Sequence, residues 1–190
     1  NEYDCDKWDR TYGKVYKELI DEGVMTIMAG HIALPAYSRK LRPGIKDEEI
    51  RPATLAPELI TDLLKGKLGF NGLVVTDASH MIGMFGATIP RSRQVPQAIA
   101  AGCDMFLFFN EREEDFAYMM EGYQSGIITE ERLQDALHRI LGVKAALNLH
   151  KLQKEGKLTA PKENLAVVGC AEHHKASRDF ADKYVTLVKD

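Results

Sequence analysis

Asp77 is the side chain best placed to do chemistry. It follows a continuous apolar run, Leu73, Val74 and Val75, with Thr76 between. A run of this kind suits a strand buried on both faces, as in a parallel sheet covered by helices. In parallel α/β folds the carboxyl ends of the strands converge on one crevice. A carboxylate at such an end can act as nucleophile, general base or metal ligand. It can also cap a helix, accepting backbone N–H bonds from a turn that starts at Ala78. On spacing alone the cap is the simpler account.

Other reactive residues lie close by in the chain. His31 follows Gly30 at the end of the stretch VMTIMA, where a lone histidine serves as a structural hydrogen-bonder or as a catalytic group. Ser79, His80, Met81 and Met84 sit in the segment after Asp77, the two methionines being suited to core filling. Asn110 ends a further apolar run and could face the same crevice. His173 and His174, with Cys170 nearby, match no zinc spacing, so no metal is expected. Cys5, Cys103 and Cys170 are odd in number and far apart, which gives no disulfide framework. Cys103 reads as a buried small hydrophobe, and the cysteine usage leans towards a reducing, cytoplasmic setting.

The elements that position these residues follow from periodicity. Tyr12, Val15, Tyr16, Leu19 and Ile20 fall at i, i+3, i+4, i+7 and i+8, an amphipathic helix stopped at Gly23. Val24 to Ala29 reads as a strand. Pro35 to Pro52 is polar and charged and reads as a long functional loop. Thr54 suits an N-cap with Pro57 in the first turn, and Leu59, Ile60, Leu63 and Leu64 supply an apolar face. The strand ending at Asp77 follows. Ala78 to Arg93 reads as a loop, Pro96 to Ala101 as a short helix closed by Gly102, and Met105 to Phe109 as a third strand. Phe116, Met119, Met120 and Tyr123 mark a helix ended by Gly126. Thr129 caps another, with Leu133, Ala136, Leu137, Ile140 and Leu141 as its stripe and His138 on its surface. His150 to Asn164 reads as a linker, Leu165 to Val168 as a short strand and Ala171 to Lys183 as a helix, with VTLVKD closing the chain. Helices alternating with strands predict an α/β fold of parallel β/α units with right-handed crossovers.

Composition narrows the function classes. The chain has 190 residues, 45% of them apolar, enough for one domain with a real core. A net charge of −3 gives no case for nucleic acid or an anionic membrane surface. No apolar run reaches the ~20 residues that span a bilayer. The start, NEYDCDKWDR, lacks a signal-peptide pattern and an initiator Met, which suggests a truncation or processing point. A nucleotide-binding reading lacks both G-x-G-x-x-G and G-x-x-x-x-G-K-[ST].

The segment GFNGLVVTDA, preceded by PATLAPELITDLLKGKL, resembles the nucleophile segment of glycoside hydrolase family 3, with its bacterial β-N-acetylhexosaminidases as the nearest branch. The resemblance spans roughly Trp8 to Leu149 and implies the last three β/α units of a (β/α)8 TIM barrel. Residues 1–149 would then be the C-terminal portion of the barrel, and 150–190 a linker and lead into a second domain. By this resemblance Asp77 is the catalytic nucleophile of a retaining exo-glycosidase, forming a covalent glycosyl-enzyme with a terminal N-acetylglucosaminide. His31 lines the sugar site, and Ser79, His80 and Met81 are candidate substrate contacts. Neither a cofactor nor a metal is implied. Around His80 the sequence departs from the residues expected after the TDA motif, which leaves the sugar open.

The family's acid/base would lie outside this chain, so the chain alone is expected to be inactive. The alternatives are a family 3 β-glucosidase, a glycoside phosphorylase, or a non-catalytic small-molecule-binding α/β domain. A partial barrel also has open strand edges, which predicts pairing with another copy.

Overall fold

The computed structural model describes residues 1–85 and 89–186. The chain divides into two compact units, Asn1–Leu147 and Asn148–Asp190. In the first unit, α1 (Cys5–Trp8) runs through a π-type turn (Asp9–Gly13) into α2 (Lys14–Asp21), and Gly23 turns the chain at a positive φ of 86°. Strand β1 (Thr26–Ala29) leads to α3 (Pro35–Leu41), two short 3₁₀ turns and a π-type helix (Glu58–Lys67). Strand β2 (Leu73–Ala78) is followed by α4 (Ile82–Phe85) and α5 (Arg91–Ala101). Strand β3 (Met105–Leu107) is followed by α6 (Arg112–Gln124) and α7 (Glu130–Ala146). The second unit holds α8 (Leu149–Lys154), a 3₁₀ turn (Lys162–Val167) and α9 (Ala171–Tyr184).

The three strands form one sheet in the order β1-β2-β3, and both pairings are parallel. This is the α/β arrangement of parallel β/α units expected from the sequence. Leu73 to Thr76 are all buried, as a strand covered on both faces requires. β1 alternates instead: Ile27 and Ala29 are buried while Thr26 and Met28 are exposed. The main core gathers Trp8, Tyr37, Leu59, Leu63, Leu64, Phe70, Val74 and Cys103. Burial pushes the Cys103 thiol up to about 12, so it stays protonated and behaves as the small hydrophobe its context suggested.

Several segments differ from their sequence-based expectation. The stretch 35–52 is not one long loop: Pro35 opens α3 at a position where its missing N–H costs nothing, and Tyr37 and Ser38 are buried. Thr54 is no helix cap; it lies in the 3₁₀ turn Ala53–Leu55, and Pro57 leads into the next helix. α5 begins at Arg91 and carries Pro96 inside it, because burial of Val95, Pro96, Ala98 and Ile99 outweighs the lost backbone bond. Gly122 of α6 lets that helix approach: a Cβ there would come 2.2 Å from Cβ of Pro96. α6 therefore buries Asp115 and Gly122, while Phe116, Met120 and Tyr123 remain exposed. Residues 149–167 hold α8 and a 3₁₀ turn, and the latter takes the place of the strand expected at Leu165 to Val168. Part of the expected loop after Asp77 (86–88) and most of the closing VTLVKD lie outside the described residues. Thr129 caps α7 as expected, accepting from the Arg132 amide at 3.1 Å.

A polar cluster joins α3, the π-type turn after α1 and the end of the π-type helix. The Tyr37 hydroxyl donates to Asp9, and Lys67 reaches the same carboxylate at 2.6 Å. Burial and the Asp9 hydrogen bond push Tyr37 above its ordinary value. Burial works against the Lys67 charge, but its bonds to Asp9 and Tyr37 more than offset that and raise it. Both groups hold their protons more tightly folded than unfolded, so their contribution is present at neutral pH. It is lost as pH rises past the ordinary values of 10.0 and 10.5. The urea midpoint is expected to fall as pH rises from about 10 to about 12, and less steeply in Tyr37→Phe; equal slopes would show that the Tyr37 hydroxyl contributes nothing.

Candidate active site

The carboxyl end of β2 is irregular. Val75 pairs with Met105 and Ala78 with Leu107, so one more residue stands on β2 than on β3 between these two points. Such a bulge re-aims the side chains around it and is frequent beside active sites. Thr76 patches the ladder: its Oγ1 accepts from the Leu107 amide at 2.8 Å and lies 3.1 Å from the Leu107 carbonyl, to which its hydroxyl donates. Asp77 falls inside this interval and is half-buried. Its Oδ1 accepts from the Ala78 amide at 2.8 Å, its one hydrogen bond among the described residues. The carboxylate is thus held at one oxygen. The accepted amide is the one next in the chain, so this is a local bond and not a helix cap.

The expected neighbours separate into two groups. His31 and Ser79 are buried, and their polar atoms are spent on the protein. His31 Nδ1 lies 2.9 Å from Thr54 Oγ1 and Nε2 lies 3.0 Å from the Ala78 carbonyl. The Ser79 hydroxyl donates to the Phe108 carbonyl and accepts from Arg91 at 3.1 Å. His80 and Met81 are exposed on the segment that follows Asp77, whereas Met84 is fully buried. Of the expected site residues, Asp77 is half-buried, His80 and Met81 are exposed, and His31 and Ser79 are buried. Asn110 is exposed, and its amide donates to Asp115 at 2.7 Å.

Arg91 and Asp115 were not singled out from the sequence. Arg91 Nε donates to Asp115 at 2.8 Å, and Arg91 also holds Ser79. The two are separated by α5 and β3, so no local spacing announces the pair. Thr54 and Thr76 were missed for a similar reason: a threonine hydroxyl has no pattern until its partner is folded against it. Asp104 had a signal, a carboxylate directly before an apolar strand. It is fully buried at the other end of the sheet, accepting from the Val74 amide at 2.8 Å and pairing with Arg132 and Lys65.

Two cavities lie away from Asp77. One of about 660 Å³ runs along β1 and is lined by Trp8, Tyr12, Tyr16, Ile27, Met28 and Leu34 among others. The other, about 460 Å³, lies at the amino end of β2 around Gly72, Asp135 and Arg139. The first is largely apolar, with no cluster of reactive groups converging on it. Among the described residues no cluster of three His, Cys, Asp or Glu side chains is arranged to hold a metal ion. No helix among them is long and apolar enough to cross a membrane.

A parallel three-stranded sheet with helices between its strands places the chain in the class of β/α folds. The chain belongs to glycosyl hydrolase family 3: residues 3–143 match the model for its N-terminal domain. The chain is 47% identical over 190 residues to a β-N-acetylglucosaminidase/β-glucosidase from Cellulomonas fimi, covering 100% of this chain and 33% of that protein. It is 33% identical over 113 residues to a β-hexosaminidase from Chromobacterium violaceum, covering 56% of this chain and 28% of that one. Among solved structures it is similar to a β-glucoside phosphorylase bound to 2FGlc, with a TM-score of 0.88 and 39% identity over 100% of this chain and 33% of that one. A family 3 β-N-acetylglucosaminidase from a Paenibacillus strain aligns with a TM-score of 0.64 and 30% identity, over 75% of this chain and 26% of that one. The chain spans about a third of the length of these relatives. The structures of the family's barrel domain carry this fold, so the three β/α units are part of a (β/α)8 barrel.

Replacing Thr76 by Val keeps the shape and removes the hydroxyl that bridges the bulge. The part-buried Leu107 amide then loses its acceptor, a loss worth about 1–3 kcal/mol. Urea unfolding of Thr76→Val is expected to show it; unchanged stability would mean that the ladder holds the bulge without this side chain.

Proposed function

We propose that the protein containing this chain is a retaining exo-glycosidase that removes terminal N-acetylhexosamine residues, N-acetylglucosamine first among them, with Asp77 as the nucleophile. One observation carries the reading: at the carboxyl end of the central strand, Asp77 is half-buried with one oxygen tethered and no second hydrogen bond among the described residues. An anionic carboxylate held this way is oriented yet unspent, which is what attack on an anomeric carbon needs. In the first step Asp77 bonds to C1 while the bond from C1 to the leaving oxygen breaks, and that oxygen takes a proton from an acid outside this chain. A second acceptor then displaces the sugar from Asp77. His80 and Met81 are proposed to meet the substrate, and residues 150–190 to lead into a second domain.

The acceptor distinguishes hydrolysis from phosphorolysis. The similarity over the whole chain to a β-glucoside phosphorylase favours phosphate as a second reading, and the similarity to the Cellulomonas fimi β-N-acetylglucosaminidase/β-glucosidase favours glucosides beside N-acetylglucosaminides. Both readings share the Asp77 step. The test uses the intact enzyme with aryl N-acetylglucosaminide and aryl glucoside, each with and without phosphate, and identifies free sugar or sugar 1-phosphate as product. Asp77→Asn is expected to lose at least about 10³-fold in kcat and to resist labelling by a 2-fluoro sugar. Retained activity in that variant would remove Asp77 from the chemistry.

A further inference from the structure

We propose that His31 is a positioning residue for Asp77, acting through Ala78, with Thr54 fixing the imidazole. The proposal rests on the reading of Asp77 as nucleophile. Its geometric basis is a short relay. The Ala78 carbonyl can only accept, so His31 Nε2, 3.0 Å away, carries the hydrogen between them. The same residue, Ala78, donates its amide to Asp77 Oδ1 at 2.8 Å. Ala78 is therefore held on its carbonyl by His31 and holds the carboxylate with its amide.

The ring is fixed in turn. His31 Nδ1 lies 2.9 Å from Thr54 Oγ1, and that oxygen lies 3.1 Å from both the Ala29 and the Gly30 carbonyls. Thr54 is fully buried and His31 is 7% exposed, and both ring nitrogens of His31 are engaged within the protein. The backbone of His31 is clamped as well. A Cβ on Gly83 would come 2.5 Å from the His31 carbonyl oxygen, so α4 packs directly on it.

The need for such a device follows from the bulge. An extra residue between Val75 and Ala78 frees the peptide after Asp77 from the regular ladder. The Met81 amide, 3.0 Å from the Ala78 carbonyl, closes a turn but ties Ala78 only to its own segment. His31 ties it to the segment that follows β1, and the Ser79 amide, 2.7 Å from the Leu107 carbonyl, ties the next residue to β3. A displacement of about 1 Å at a nucleophile costs on the order of 10²-fold in rate.

The test uses the intact enzyme and three variants: Thr54→Val, Thr54→Ser and His31→Phe. Thr54→Val removes only the buried hydroxyl and provides a second variant if His31→Phe does not fold. Thr54→Val and His31→Phe are expected to slow formation of the glycosyl-enzyme by about 10- to 100-fold, with KM within about threefold of wild type. Thr54→Ser, which restores the hydroxyl, is expected to recover most of that loss. Nitrogen NMR of the folded wild-type protein is expected to show a protonated His31 Nε2. A KM raised about tenfold at unchanged kcat would overturn the proposal, because the ring would then be contacting the sugar. A lowered Tm at unchanged kcat in Thr54→Val would also overturn it, leaving a merely structural role. If Asp77→Asn keeps its activity, the nucleophile reading fails while the nitrogen signal still reports on the relay, so the two failures are distinguishable.

Discussion

The extra residue in β2 between Val75 and Ala78 is the constraint on which the candidate site depends. A regular parallel ladder would hand every backbone group to a neighbouring strand. The bulge withdraws the segment around Asp77 from that order, and side chains replace the missing bonds: Thr76 towards Leu107, His31 towards Ala78, Ser79 towards Phe108. Each of these residues is polar and deeply buried at a strand end, where an unpaired carbonyl would be costly. The result is a carboxylate that is oriented by its own neighbour and is otherwise available. Arg91 and Asp115 extend the bracing outward, through Ser79, to α5 and α6.

The opposite end of the sheet is built for stability. Asp104 takes the place of a ladder partner for Val74, its carboxylate accepting the Val74 amide and its own amide donating to the Val74 carbonyl at 2.7 Å. Arg132 and Lys65 meet that carboxylate, and Asp135 joins Arg132 to Arg139, which reaches the Gly72 carbonyl at 3.0 Å. Burial pushes the Lys65 amine down, and the Asp104 charge opposes that shift. Burial alone would raise Asp135, but Arg132, Arg139 and Lys65 together hold it below the usual carboxylate range. These charges seat α7 against the start of β2. The division matches what parallel β/α folds permit: loops after the strands are free to vary for chemistry, while the other end is free to lock the helices.

Family 3 scaffolds whose names include N-acetylglucosaminidase, β-glucosidase and β-glucoside phosphorylase share this segment's architecture. A common segment beneath different names means that this architecture alone selects neither the sugar nor the acceptor. Discrimination among these reactions then falls to groups around the sugar and to the acid/base.

The sequence by itself determined the parallel α/β class, the buried central strand and the position of Asp77 at its end, because an apolar run ending in a carboxylate and alternating helical stripes are local patterns. It also carried the family, through GFNGLVVTDA and the helix before it. It did not foretell that Pro35 opens a helix, that α5 runs through Pro96, or that Phe116 and Met120 face outward while Asp115 and Gly122 pack inward. Those outcomes are set by contacts between segments distant in the chain, such as Gly122 on Pro96, which override local preference. The site divides the same way. The position of Asp77 was legible, but the hydrogen-bond partners of Thr54, Thr76, His31 and Arg91 were decided only by tertiary structure. A hydroxyl, an imidazole or a guanidinium acquires a function from the partner folded against it, and each of these partners lies on another element of the fold.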